Sequence, residues 1–271
     1  MRWVTATPSR RGALLMGAAP LLVLALGYVI AAAARHADNP ADKILPLPGA
    51  MATAMAGLLF QADPLSGQYL FWADTLASLM RLGAGLGIAT LSALLVGLVL
   101  GALPPVRATL GPLVTAIAVI PPVALLPVLF IVLGLGETAK VALIVIGIAP
   151  FMIRDIAGHI AALPREQVVK ALTLGANSWG VVLRVALPQA LPRLVEGLRL
   201  SLGPAWVFLI SAEAIAADVG LGYRIFLVRR YLAMDVILPY VAWIALLAVA
   251  MDFVLSRGSR RLFGWAHLGT R

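Results

Sequence analysis

The chain has 271 residues, 62% of them hydrophobic and 12% charged, with mean hydropathy +0.99 and a formal charge of +9. Soluble domains run at about half apolar and about a quarter charged, so a water-soluble enzyme, a disordered tail and a nucleic-acid binder are all poor fits. Lipid is the expected solvent, and the basic excess reads as the Lys/Arg bias of cytoplasmic loops.

At about 20 apolar residues per spanning helix, the length accommodates roughly five to seven spans and no large soluble domain. The lack of cysteine removes disulfides, thiolate metal sites and Cys nucleophiles. His36, His159 and His267 are far apart and show no metal-ligand spacing.

Residues 1–34 hold Arg2, Arg10 and Arg11 and then an apolar run from Ala13 to Ala34. A secretory signal core is about 7–15 residues. The longer run here is read as a retained first span with a cytoplasmic N-terminus. Residues 35–80 read as an outer loop followed by short interfacial helices, with Tyr69, Phe71 and Trp72 at headgroup level and Asp63, Pro64, Ser66, Gly67 and Asp74 interrupting the apolar stretches as breakers or charges.

Residues 81–256 form the core. A second span covers Leu82–Leu103, with Gly83-xxx-Gly87 and Gly97-xxx-Gly101 as close-packing spacings. A third, Leu110–Leu133, contains Pro121, Pro122 and Pro127, which should kink or interrupt it. Carbonyls freed there need a neighbouring helix or a watery cavity. A fourth span begins at Val141 and is interrupted by Pro150, and a polar excursion follows over 164–192. A fifth, Leu194–Ala217, contains Glu213; a sixth, Val236–Leu255, precedes a basic tail over 257–271. No internal repeat is visible. Six spans with both ends inside put fourteen of the 21 basic residues in cytoplasmic segments and seven outside, with Arg224, Arg229 and Arg230 as the outliers.

No catalytic constellation stands out. Of the three lysines, Lys43, Lys140 and Lys170, none follows a glycine, so the chain lacks the Gly-Lys of a phosphate-binding loop. The excursion reads as a short amphipathic helix from Arg165, a turn at Gly175 and a second helix stopped at Pro188. Such a projection, apolar on one face and too small for its own core, suits docking into a partner's groove. Resting on lipid is the alternative.

Ala171-x-x-x-Gly175-Ala176, then Leu187-Pro188-x-Ala190-Leu191-Pro192 and Gly197-Leu198-Arg199, resembles the "EAA" loop of binding-protein-dependent ABC importer permeases. Ser78-Leu79-x-Arg81, Ile120-Pro121-Pro122, Gly134-Leu135-Gly136-Glu137, Ala212-Glu213 and Gly220-Leu221-Gly222-Tyr223 are similar to blocks of the nitrate/sulfonate/taurine/bicarbonate branch. The resemblance implies an all-α integral membrane protein of the type I kind: six transmembrane helices, short interfacial helices and a cytoplasmic coupling helix. It implies a transport subunit and not an enzyme, with residues 1–271 as a single permease domain of the bacterial inner membrane.

By the same resemblance, Lys170, Ala171, Leu172, Gly175 and Ala176 contact a cytoplasmic ATP-binding subunit. Two such subunits would bind ATP and Mg, leaving no cofactor in this chain. A second permease copy would complete a homodimer embedded in membrane lipid, and an extracytoplasmic solute-binding protein would deliver a small oxyanion or organic anion. The chain departs from the motif at its first two positions, normally Glu and Ala, where it has Val169 and Lys170.

An acid inside a span normally faces protein or water. Glu213 therefore either lines the translocation pathway, with Arg81, Pro121 and Pro122, or is a structural acid paired with Arg81 or Arg224. Arg81 reads as an anion attractor or as an interfacial anchor. Rival classes are a proton-coupled secondary transporter using Glu213, a permease for a thiamine precursor or other heterocycle, and a membrane scaffold or signalling subunit.

Overall fold

The computed structural model describes residues 9–267, all helix, turn and loop with no strand among them. Arg2 and Arg271 lie outside the described residues. Five helices are long and apolar enough to cross a membrane, and a bent pair raises the number to six.

Helix α1 (Arg10–Asp38) is capped by Ser9, whose hydroxyl accepts from the Gly12 N–H at 3.2 Å. Its most apolar window buries nothing against the rest of the protomer. The helix is tied on near its end, where Tyr28 donates to the Pro46 carbonyl at 2.7 Å and Arg35 pairs with Asp42 at 2.6 Å. Helix α2 (Pro48–Phe60) lies against the sixth span and is the one short helix of the expected interfacial region.

The end of that region is not a separate short helix but part of the next span. Helix α3 runs unbroken over Leu70–Ala102, so Phe71, Trp72 and Asp74 belong to its first turns. Asp74 does not break the span because a partner from another helix neutralises its charge. Phe71 packs edge-on against Tyr240 at 5.5 Å between centroids and leans on Trp243 at 5.2 Å, fixing this end of α3 to the last span.

Helix α3 meets α6 (Glu137–Ala161) through glycines. A Cβ on Gly85 would lie 2.7 Å from Ile144, one on Gly97 2.8 Å from Ile156, and one on Gly101 2.6 Å from Ile160. The offset in residue number is the same at all three contacts, so the helices run parallel. Of the expected small-residue pairs, Gly97/Gly101 makes this contact, while Gly83 and Gly87 have open space beside them.

Two parallel helices require the chain to return between them. That return is α4 (Pro104–Val119) and α5 (Leu126–Leu133), joined by a 3-10 turn at Pro122–Leu125 and bent by 87°. Ile120 and Pro121 are extended (ψ 126° and 115°), as the residue before a proline must be, so the paired prolines do interrupt this span. Pro150 does not: α6 passes through it and starts earlier than expected, at Glu137.

After α6 come α7 (Arg165–Thr173), α8 (Ser178–Val181), a π turn at Val182–Ala186 and α9 (Leu187–Ala216). The expected stop at Pro188 is absent, and the helix is continuous over Ser178–Ala216. Leu187 N–H reaches back to the Val182 carbonyl, five residues away, and this widened turn makes room for the proline ring. Short α10 (Leu221–Val228) and a 3-10 turn at Arg229–Tyr231 lead into α11 (Met234–Leu262). Asp155–Arg193 (2.8 Å) joins α6 to α9 and Arg199–Asp252 (2.8 Å) joins α9 to α11, both near the α7 end.

Candidate functional site

The α7–α8 segment projects from one end of the bundle as a tight hairpin. Gly175 has φ +86°, the left-handed conformation that glycine adopts without a Cβ penalty. Around it, Ala176 N–H donates to the Ala171 carbonyl and Gly175 N–H to the Leu172 carbonyl, both at 3.0 Å, closing the end of α7 with a Schellman pair of bonds. Two residues on, Asn177 starts α8, its side-chain oxygen accepting from Gly180 N–H at 2.7 Å. Gln189 of α9 donates to Gln167 of α7 at 2.9 Å and steadies the hairpin against the long helix.

The hairpin keeps apolar side chains in the open. Leu172, Leu174 (88% exposed), Trp179 and Leu183 have little cover within the protomer, Ala171 and Ala176 are half-buried, and Lys170 and Gly175 are exposed. Lys170 sits in the last turn of α7, where a cation suits the helix dipole.

At the opposite end, α3, α9, α10 and α11 meet in a buried polar cluster. The first three N–H groups of α10 have no partner within the helix, and three side chains from other helices take them. Gly220 N–H donates to Asp74 (2.9 Å), Leu221 N–H to the Ser78 hydroxyl (2.8 Å) and Gly222 N–H to Glu213 (2.8 Å). Ser78 in turn donates to Glu213 at 2.8 Å, and Arg81 donates to it at 2.7 Å. Asp74 also pairs with Arg224 (2.7 Å) and accepts from Tyr240 (3.1 Å).

Arg81 holds two acids at once, because its other arm reaches Glu137 at 2.8 Å, which also accepts from Lys140 at 2.9 Å. Asp74, Glu137 and Glu213 thus balance Arg81, Lys140 and Arg224. Balanced, hydrogen-bonded charge is the condition under which ionisable groups tolerate burial.

Of the residues named for a pathway, Glu213 and Arg81 are therefore adjacent, both buried, and bonded to each other. Glu213 has no exposed surface. Arg224 stands opposite Asp74 and not Glu213. Pro121 and Pro122 are not bonded to this cluster; they form the break between α4 and α5, in a turn that packs on α6 and α9.

In the sequence Asp74 is only a charge interrupting an apolar stretch, Gly220 and Gly222 belong to a family-like block without a stated role, and Tyr240 carries no signal. An acid inside an otherwise apolar stretch, such as Asp74, is the pattern that marks a buried partner.

Residues 85–263 match the family described as "Binding-protein-dependent transport system inner membrane component". The chain belongs to this family. The permease is 38% identical over 195 residues to the taurine transport system permease protein TauC of Escherichia coli K12, covering 72% of this chain and 70% of that one. It is 34% identical over 134 residues to the putative aliphatic sulfonates transport permease protein SsuC of the same organism, covering 49% and 51%. An inward-facing structure of the MetNI methionine ABC transporter superposes with TM-score 0.63 at 21% identity, covering 73% of this chain and 99% of that one. The permease is thus a transport component of an ABC importer with the type I permease fold. Membership in this family implies ATP-binding subunits and a solute-binding protein as partners.

Proposed function

We propose that this permease imports a small sulfonate-type or related anion, working as a homodimer whose two copies enclose the pathway in the bacterial inner membrane. The α7–α8 hairpin faces the cytoplasm, and Lys170, Ala171, Leu172, Gly175 and Ala176 seat it in a groove of a separate subunit that binds ATP and Mg. The start of α1 and the end of α11 face that same cytoplasmic side in this reading. The observation carrying this reading is the hairpin itself: a turn closed around Gly175 that holds Leu172, Leu174 and Trp179 in the open, as a surface made to be covered by a partner would.

The interrupted span lines the pathway in this reading. A break at Pro121–Pro122 leaves backbone groups that need water or protein, which a dimer-lined channel supplies. Glu213 and Arg81 act as a brace at the far end of that pathway. Their full pairing and burial speak against a proton-coupled carrier, in which Glu213 would have to exchange protons with a water-filled route.

The test is co-expression with candidate ATPase subunits and reconstitution with the solute-binding protein. ATP-dependent uptake of taurine or an alkanesulfonate, lost on mutating the catalytic acid of the ATPase, supports the reading. Uptake that persists without the ATPase sinks it. Ligand screening of the binding protein against taurine, alkanesulfonates, nitrate, bicarbonate and cyanate fixes the substrate.

A further inference from the structure

The 3-10 turn after α10 presents four consecutive side chains to the surroundings at the end of the bundle opposite the coupling hairpin. Arg229 and Arg230 are exposed, Tyr231 is 72% exposed and Leu232 59%. Arg224, five residues before Arg229 in the same basic run, is consumed by Asp74. Arg229 and Arg230 have no carboxylate within ion-pair distance among the described residues, and the Arg229 guanidinium lies over the Phe226 ring at 4.9 Å.

Leu232 is the outlier. It has φ +54°, the only positive φ among described non-glycine residues. Its N–H donates to the Arg229 carbonyl at 3.1 Å, and Ala233 N–H reaches the Val228 carbonyl at 3.4 Å. Leu232 therefore occupies the helix-ending position where glycine is the favoured residue and a side chain is penalised. The hydrogen bonds offset the backbone penalty, but a glycine would make them equally well, and the mostly exposed Leu232 side chain gains little packing inside the protomer. Strain retained at an exposed apolar side chain points to a role outside the chain.

Beside this knob lies a groove of about 310 Å³, lined by His36, Asp42, Lys43, Tyr231, Leu232 and Asp235. The surface combines two unpaired cations, an aromatic and an apolar tip next to a concavity. That composition suits an interface with a protein bearing acidic residues around an apolar spot. It also gives a use to basic residues that violate the positive-inside distribution.

We infer that Arg229, Arg230, Tyr231 and Leu232 form a docking knob for an acidic face of the solute-binding protein. This rests on the importer reading above. The knob steers the loaded binding protein by charge and seats it with Tyr231 and Leu232.

The experiment uses the whole complex in nanodiscs, with ATP hydrolysis measured against the concentration of the cognate binding protein at several salt concentrations. Stimulation of the wild-type complex by that protein comes first; its absence would count against the importer reading and not against the knob alone. Given stimulation, R229E/R230E should raise the half-saturating concentration about tenfold or more and flatten its salt dependence. L232G relieves the backbone and cannot unfold the turn, so it should still co-purify with the ATPase while also raising the half-saturating concentration. Unchanged half-saturation and salt slope in both variants would overturn the proposal. So would an effect seen only when anionic lipid is varied, which would make the knob a lipid anchor.

Discussion

Gly220 carries its backbone so close to Glu213 that a Cβ there would sit 2.6 Å from the carboxyl carbon, at a φ of +138°. The first turn of α10 is closed over an acid, and only a glycine allows the closure. Gly220→Ala should therefore destabilise the permease by about 3 kcal/mol or more, through strain and overlap together. Thermal unfolding in detergent measures this, and a near-neutral Gly220→Ala would mean α10 is not packed as described.

Glu213→Gln keeps the shape but removes the charge opposite Arg81. Breaking a buried pair costs about 3–5 kcal/mol, and the low end applies because Arg81 keeps Glu137. Glu213→Gln combined with Arg81→Gln should cost less than the sum of the two single changes. Additive losses would show that the two side chains act independently.

The α7–α8 hairpin makes a different prediction, since it is exposed. Leu172→Glu should leave the thermal stability of the isolated permease within about 0.5 kcal/mol, as surface changes usually do. In the complex it should abolish co-purification with the ATPase subunit. Gly175→Ala should lose about 1–2 kcal/mol locally, from the left-handed φ, and weaken the same co-purification. Wild-type assembly with Leu172→Glu would remove this hairpin from the interface.

The parallel register of α3 on α6 is open to a rescue test. Gly101→Val should overpack against Ile160 and cost about 1–3 kcal/mol. Adding Ile160→Ala should recover part of that loss, whereas Ile144→Ala, elsewhere along the same contact, should add its own cost.

The tether of α1 is sensitive to acid. The hydrogen bond from Arg35 holds the Asp42 carboxyl down, to about 2, below the usual carboxylate range. Because the folded value is the lower one, the tether is in full force above pH ~4 and is lost as pH falls toward 2. Spin labels on Ala33 and Leu47 should give a narrow distance distribution at pH 6 that broadens on acidification. Asp42→Asn should be broad throughout, and a distribution indifferent to pH would show that the pair does not hold α1.

Much of this architecture is legible from hydropathy, because spans announce themselves as apolar runs. What hydropathy misreads are charges and prolines. Asp74 looks like the end of an interfacial segment, yet it lies inside α3 because Arg224, Tyr240 and Gly220 satisfy it from regions about 150 residues away. Pro121–Pro122 breaks its span as expected, but Pro188 does not, since a π turn one step earlier accommodates the ring. The coupling turn is legible because Gly175 acts locally, through its own φ. The far-end cluster is not, because each of its bonds joins helices whose adjacency no single segment encodes.

The α7–α8 hairpin and the polar cluster are joined by one continuous helix, Ser178–Ala216, of 39 residues. At 1.5 Å per residue it is a rod of nearly 60 Å. A displacement at Trp179 reaches Glu213 without crossing a loop, and the places where the rod can yield are the five-residue widened turn at Val182–Ala186 and the interior prolines Pro192 and Pro204. The stiffness of the helix at these points sets how much of a displacement at the hairpin is felt by the buried cluster at its other end.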